Sequence, residues 1–303
     1  TGGCIGYVGY GAGHVVTPMP RQPPTWEPEV WLGHYLGALC FYHKSRTWHC
    51  SGPKRFQEEA MSLLASATRL NTPPPATCSG PSRTTEKSLY LSHIQQIHDW
   101  LIEGDCYQVN LTRPVWLNSA GDSWSAYRRL RHHSTPSYGA YLKLDNALAI
   151  LSNSPELLLD YDKEVAISDP IKGTRPRGKN ETEDLLLRQA LEVSVKDRAE
   201  LTMIVDLVRN DLGRVAKIGS VKAENRTIRT HANVHHASQL ISAELDGSTD
   251  PWTTLGVLFP PGSVTGAPKI RACTRIAELE TEARGVYCGA IGYASGDRAV
   301  FNV

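Results

Sequence analysis

Tyr90, Ile94, Ile97 and Leu101 recur at intervals of four, three and four residues, the rhythm of one face of an α-helix. Gly104 follows as a residue suited to end that helix. A further helix is predicted over residues 54–70. The rhythm shortens to two in DCYQVNLTRPVWL, residues 105–117, where Tyr107, Val109 and Leu111 alternate with other residues as in a strand. Residues 137–169 read as a meander of short strands turning at Asp145-Asn146 and Ser154-Pro155. Residues 1–50 read as strands edged by glycine-rich turns, and His14 stands where GYGAG would need a last glycine for a dinucleotide fingerprint. NTPPPATCSGPS, residues 71–82, is predicted to be an internal loop because three consecutive prolines open it. Residues 185–216 carry the strongest helical signal, read as one continuous run. With Glu200 as origin and 100° per residue, Met203, Ile204 and Leu207 fall within about 60° of it and Asp211 within about 20°. Two carboxylates on an apolar stripe demand compensation, from solvent, an arginine or a metal ion.

Composition narrows the class. Of 303 residues 41% are apolar and 21% charged, ordinary values for a globular protein with a real core. A net charge of +1 gives no global field for nucleic acid or an anionic membrane, so specificity must reside in a local site. No apolar run approaches the ~20 residues of a membrane helix. The seven cysteines are scattered and form no CxxC, which points away from zinc and disulfides and toward a cytoplasmic setting.

Four segments carry candidate chemistry. SDPIKGTRPRG, residues 168–178, places Lys172 between Ile171 and Gly173 in a frame stiffened by Pro170. A solvated loop lysine is the plainer reading; the sharper one is a nucleophile, which needs a pKa depressed by burial and by the nearby Arg175 and Arg177. Depression by about three units costs about 4 kcal/mol. Glu156, after a turn proline and ahead of three leucines, is either an exposed turn residue or a desolvated general acid. His235 and His236 cannot share a face, so at most one enters a given site. PPGSVTGAPKIRA, residues 260–272, runs from a glycine-bearing loop into a helix. It is either a plain capping turn or a cradle for a carboxylate or phosphate, and it is not a Walker A loop.

Together and in this order, GDCYQVNL (104–111), SPE (154–156), DPIKGT (169–174), DRAELTMIVDLVRNDLGRV (197–215), VHHASQLI (234–241), PPGSVTGAPK (260–269) and CGAIGY (288–293) resemble the chorismate-utilising enzymes. That family includes anthranilate, isochorismate, salicylate and aminodeoxychorismate synthases. The resemblance implies an α+β fold of one chorismate-binding domain over residues 1–303, two large, roughly orthogonal antiparallel sheets forming a sandwich with helices outside. Lysine at 172, where anthranilate synthases have alanine, resembles the aminodeoxychorismate synthase component I branch, which makes a folate precursor. The resemblance then implies that Lys172 attacks chorismate, that Glu156 protonates the leaving hydroxyl and that Thr174 binds near it. Glu200 would hold Mg2+, and His236 would lie by the ring carboxylate. Gly262, Ser263, Thr265, Gly266 and Lys269 would bind substrate carboxylate. Ammonia would come from a separate glutamine amidotransferase subunit or from free ammonium, since the chain has no G-x-C-x-G elbow. Anthranilate or isochorismate formation, or chorismate binding without catalysis, are the alternatives. The family pattern extends before Thr1 and beyond Val303, so half a metal site and an incomplete carboxylate clamp are expected.

Overall fold

The computed structural model describes residues 2–67, 77–145 and 147–303. The fold is α+β. Its frame is an eight-stranded antiparallel sheet, running across in the order Lys222–Ala223, Ile241–Glu244, Val165–Asp169, Leu157–Asp162, Arg298–Asn302, Ala290–Ser295, Gly3–Val8 and Val30–Tyr35. Among the described residues the other strands form one three-stranded sheet and four two-stranded pairs, so a second large continuous sheet is not formed.

The core lies between this sheet and the helix Val195–Leu212. Leu201, Ile204, Val205, Val208 and Leu212 recur at helical spacing and pack with Leu159, Ile241 and Phe301 of the sheet. Each such side chain, fully buried, contributes about 1.5–3 kcal/mol. The buried stripe is centred one residue away from the expected one. Glu200, Met203 and Leu207 flank it, half-buried at the margin rather than in the core, with Leu207 against Gly262. The long helical run also breaks in two. Glu181–Val193 ends at Ser194, whose hydroxyl accepts a hydrogen bond from the Asp197 N–H and caps Val195–Leu212.

The proline-rich segment is not a loop throughout. Residues 71–76 lie outside the described residues, but Thr77–Thr84 is a strand paired with Val115–Ala120, with register shifts on both sides of Pro81. Asn146, at one predicted turn, likewise lies outside the described residues. Lys87–Ile102 is the expected helix; Ile97 and Trp100 are buried, while Ile94 and Leu101 remain partly exposed. GYGAG falls in a 3-10 turn, Tyr10–Val15, instead of a strand. No helix among the described residues is long and apolar enough to cross a membrane.

Candidate active site

Lys172 owes its position to one extra residue. The strand Ile171–Pro176 pairs with Val234–Ser238, Ile171 opposite Ser238 and Thr174 opposite His236. Three steps on one strand thus match two on the other, a β-bulge at Lys172-Gly173. Gly173 has φ +90°, and a Cβ there would come within 2.8 Å of Leu191 Cδ1 and 2.9 Å of Asp197 Cβ. The glycine after the lysine is therefore required: it lets the backbone turn against two helices while Lys172 projects out. Gly173→Ala is expected to cost about 2–4 kcal/mol through strain and overpacking, read as a lowered denaturation midpoint with loss of activity. A midpoint equal to that of the parent would contradict the bulge assignment.

The Lys172 Nζ donates to the Ser263 carbonyl oxygen at 2.5 Å. Burial pulls its ammonium below the ordinary lysine range, opposed by Glu156, Glu200 and Cys288. The two arginines that were expected to help depress it do not. Arg175 is paired with Asp197 at 2.7 Å and Arg177 with Asp184 at 2.7 Å. Desolvation is the cause that holds.

Glu156 enters from the neighbouring segment, just before the strand Leu157–Asp162, and its carbonyl accepts from the Val303 N–H at 3.2 Å. Burial pushes its carboxyl up to about 7, opposed by Ser263, Lys172 and the Ile171 N–H, and reinforced by Asp169. It is partly open to a cavity of about 450 Å3 that Ser154, Val264, Cys288 and Asn302 also line. A cavity of that size suits a small molecule. A larger one, about 640 Å3, lies around Trp26, Tyr90 and Trp116 and contains none of the candidate catalytic residues.

Unsatisfied polar atoms mark the same region. Ser263 Oγ, His236 Nδ1, Ser238 Oγ and Asp169 Oδ1 are buried without a regular hydrogen-bond partner. Ser263 Oγ lies near enough to Glu156 to bias it without meeting ordinary hydrogen-bond geometry. Buried polar atoms left unpaired cost about 1–3 kcal/mol each, so a concentration of them points to a polar ligand. His236 is half-buried, and burial, with His231 5.3 Å away, lowers its pKa. His235 faces the other way: it is fully buried and held by Thr230 Oγ1 and Asp184 Oδ1, a structural histidine.

The remaining candidates divide. Thr174 is exposed and shares a face with His236. Glu200 is near enough to Lys172 to act on its charge, with 36% of its side chain exposed and Lys196 at 3.7 Å. Gly262 and Ser263 form a 3-10 turn against Leu207. Gly266 has φ +141°, and a Cβ there would collide with the Gln108 carbonyl at 2.1 Å, so close pairing of Gly266–Ala267 with Gln108–Val109 requires glycine. Two of the expected binders are engaged within the protein. Thr265 is fully buried and spends its hydroxyl proton on the Pro261 carbonyl. Lys269 lies 2.6 Å from the buried Asp211 and donates to the Leu258 carbonyl, so it supplies the compensation that Asp211 needs.

Other residues lacked a sequence signal. Asp169 and Arg229 pair across 60 positions. Arg284 donates to the carbonyls of Val264 and Asn110 at 2.8 and 2.7 Å, behind the 262–266 loop, and is paired with Glu280. For magnesium, no group of three or more His, Cys, Asp or Glu among the described residues is arranged to hold a metal. Magnesium commonly keeps its waters and takes one or two protein carboxylates with substrate oxygens, so Glu200 fits as one such ligand.

A family profile described as chorismate binding enzyme matches residues 1–303. The chain is 37% identical over 297 residues to aminodeoxychorismate synthase component 1 of Salmonella typhimurium, covering 97% of this chain and 65% of that one. It is 31% identical over 314 residues to anthranilate synthase component 1 of Acinetobacter calcoaceticus, covering 97% of this chain and 63% of that one. The chain thus spans just under two thirds of the length of these relatives. Its fold matches the crystal structure of anthranilate synthase component I from Streptococcus pneumoniae with a TM-score of 0.87 at 26% identity, over 100% of this chain and 71% of that one. On this evidence the chain belongs to the family of chorismate binding enzymes.

Proposed function

We propose that the protein converts chorismate and ammonia to 4-amino-4-deoxychorismate and water. The observation that carries the reading is Lys172, its ammonium depressed by burial and turned by a bulge toward Ser263 and the raised carboxyl of Glu156. The name of the Salmonella relative supports it. In this reading the neutral Lys172 amine forms a bond to C2 of chorismate, and the electron pairs shift so that the C4 hydroxyl leaves. The Glu156 proton converts that hydroxyl to water. Ammonia then adds at C4 and returns a proton to Glu156, the bond to Lys172 breaks to release its neutral amine, and the ring double bonds return. Splitting one difficult displacement into two lowers the barrier. The unpartnered atoms of Ser263 and His236, with Thr174 beside them, bind and orient the substrate's oxygens. A magnesium ion on Glu200 supplies positive charge for the ring carboxylate when bound. Ammonia is supplied by a glutaminase partner, as "component 1" in the relative's name suggests. The unpaired thiols suit a reducing, cytoplasmic compartment.

The productive form carries one proton on the Lys172–Glu156 pair, with the amine neutral and the acid protonated. Activity is therefore expected to rise with pH as the doubly protonated pair loses its first proton near 7, and to fall where Lys172 and Glu156 are both deprotonated. Chromatography of products formed from chorismate, magnesium and ammonium across pH tests both parts. Anthranilate or isochorismate as the product would replace this reading with another branch, which the anthranilate synthase relatives favour. Tight chorismate binding without turnover would make the protein a binding module.

A further inference from the structure

Among the described residues three that are not glycine have φ in the left-handed region: Arg46, Thr135 and Cys288. Arg46 is exposed and Thr135 half-buried, but Cys288, at φ +63°, is 4% exposed. It lies in the turn between the helix Lys269–Leu279 and the strand Ala290–Ser295, where the Gly289 N–H donates to the Val286 carbonyl at 2.9 Å. Glycine stands elsewhere in this turn. Gly285 has φ +61°, and a Cβ on Gly289 would come within 2.3 Å of the Val8 carbonyl oxygen. At position 288 glycine would adopt the same backbone without strain, whereas cysteine carries a Cβ there at a cost. A strained residue held inside a site is a reason to ask what its side chain does. Cys288 lines the cavity of about 450 Å3 that Glu156 also borders, and it packs with Val264, the residue after Ser263. Val286 and Ile291 belong to the same lining. Burial pushes the Cys288 thiol up to about 11, so it stays neutral. A neutral thiol is a weak donor and a weak acceptor, closer to a small apolar group than to a hydroxyl, and it gives a water molecule little to hold.

We infer that Cys288 is a specificity-determining residue of the amination site: its side chain closes the cavity wall against the bound ring and denies water a place from which to attack C4. This rests on the function proposed above. In that reaction the covalent intermediate carries the Lys172 nitrogen on C2 and has lost the C4 hydroxyl as water. Two nucleophiles can then take C4. Ammonia gives the amine. Water bonds to C4 through its oxygen and gives a proton to the Glu156 carboxylate; the C2–N bond breaks and Lys172 leaves as the neutral amine. That second course returns chorismate, so the cycle is spent without product. Ammonia is scarce beside water, and a wall that offers water no hydrogen bond and no gap favours amination.

The two courses separate in water enriched in 18O, where attack by water places 18O at C4 of recovered chorismate and attack by ammonia does not. The protein is given chorismate, magnesium and ammonium, and mass spectrometry reads the ratio of labelled chorismate to 4-amino-4-deoxychorismate. Cys288→Ser nearly keeps the size of the side chain and adds a hydroxyl that holds water. Cys288→Gly relaxes the backbone and leaves a gap. Each is expected to raise the ratio by about ten-fold or more over the parent. The serine variant differs by one atom and the glycine variant removes strain, so loss of folding in one leaves the other to decide. A rise of that size in either variant supports the inference. Smaller changes in both overturn it and leave the proposed function standing. A parent that forms neither the amine nor labelled chorismate overturns the proposed function, and this inference with it.

Discussion

Replacing Lys172 by alanine is expected to abolish amination of chorismate, lowering kcat/KM by about 10³-fold or more, equivalent to roughly 4 kcal/mol of transition-state stabilisation. The argument is geometric before it is chemical. A lysine kept only for charge would sit in solvent; this one is turned inward by a bulge and is anchored on the Ser263 carbonyl. Burial takes its ammonium down toward the pH range where a free amine exists, and Glu156, Glu200 and Cys288 restrain the shift. Lys172→Arg is expected to be as inactive as Lys172→Ala, because a guanidinium stays protonated at every working pH and offers no lone pair. If the lysine acted only as a positive charge, arginine would restore much of the rate. Mass spectrometry of protein quenched during turnover with chorismate should reveal an adduct on the peptide containing residue 172 in the parent and in neither variant. Parent-like amination by Lys172→Ala would refute the covalent role.

What the sequence made legible follows from how local each feature is. The Pro-Ile-Lys-Gly order signals a constrained lysine because glycine and proline act on their immediate neighbours, and the structure places that glycine at a positive φ. The His235-His236 pair was divisible because adjacent residues of a strand point to opposite faces. Periodicity located the helix through Glu200 but misplaced its axis by one residue. Glu200, Met203 and Leu207 form a half-buried stripe beside the core one, with Leu207 against Gly262, and angle alone does not rank two such stripes. The apolar stripe signals the cost of a charge at Asp211 but not its remedy, Lys269; only the fold brings those two within 2.6 Å. The same holds for Asp169 with Arg229 and for Glu280 with the backbone of Thr112. Ion pairs joining distant segments have no period, so one sequence does not display them. The break at Ser194 was legible in principle, since Ser-x-x-Asp is a capping signal, but the apolar rhythm on either side concealed it.

Arg284→Met is expected to destabilise the protein by about 3–5 kcal/mol, the cost of breaking a buried ion pair from one side. The Arg284 and Glu280 side chains are 1% and 5% exposed and 2.6 Å apart. Glu280 also accepts from the N–H and hydroxyl of Thr112, and the guanidinium lies 4.7 Å from the centre of the Tyr10 ring. Methionine fills much of the volume but leaves a buried carboxylate without its cation and removes donors from the carbonyls of Val264 and Asn110. Val264 keeps a bond from Asn110 Nδ2 at 3.0 Å, so the loop is loosened rather than released. Chemical denaturation of the parent, Arg284→Met and the double variant Arg284→Met with Glu280→Gln separates charge from packing. The double variant should recover a substantial part of the loss, because glutamine still accepts from Thr112 and no buried charge is left alone. Equal losses in both variants would assign the effect to packing over Tyr10. The same measurement bears on catalysis, since Val264 follows the residue whose carbonyl holds the Lys172 amine. A stable double variant with a much reduced rate would place the Arg284 clamp behind the active loop, fixing the position of Ser263 rather than the fold as a whole.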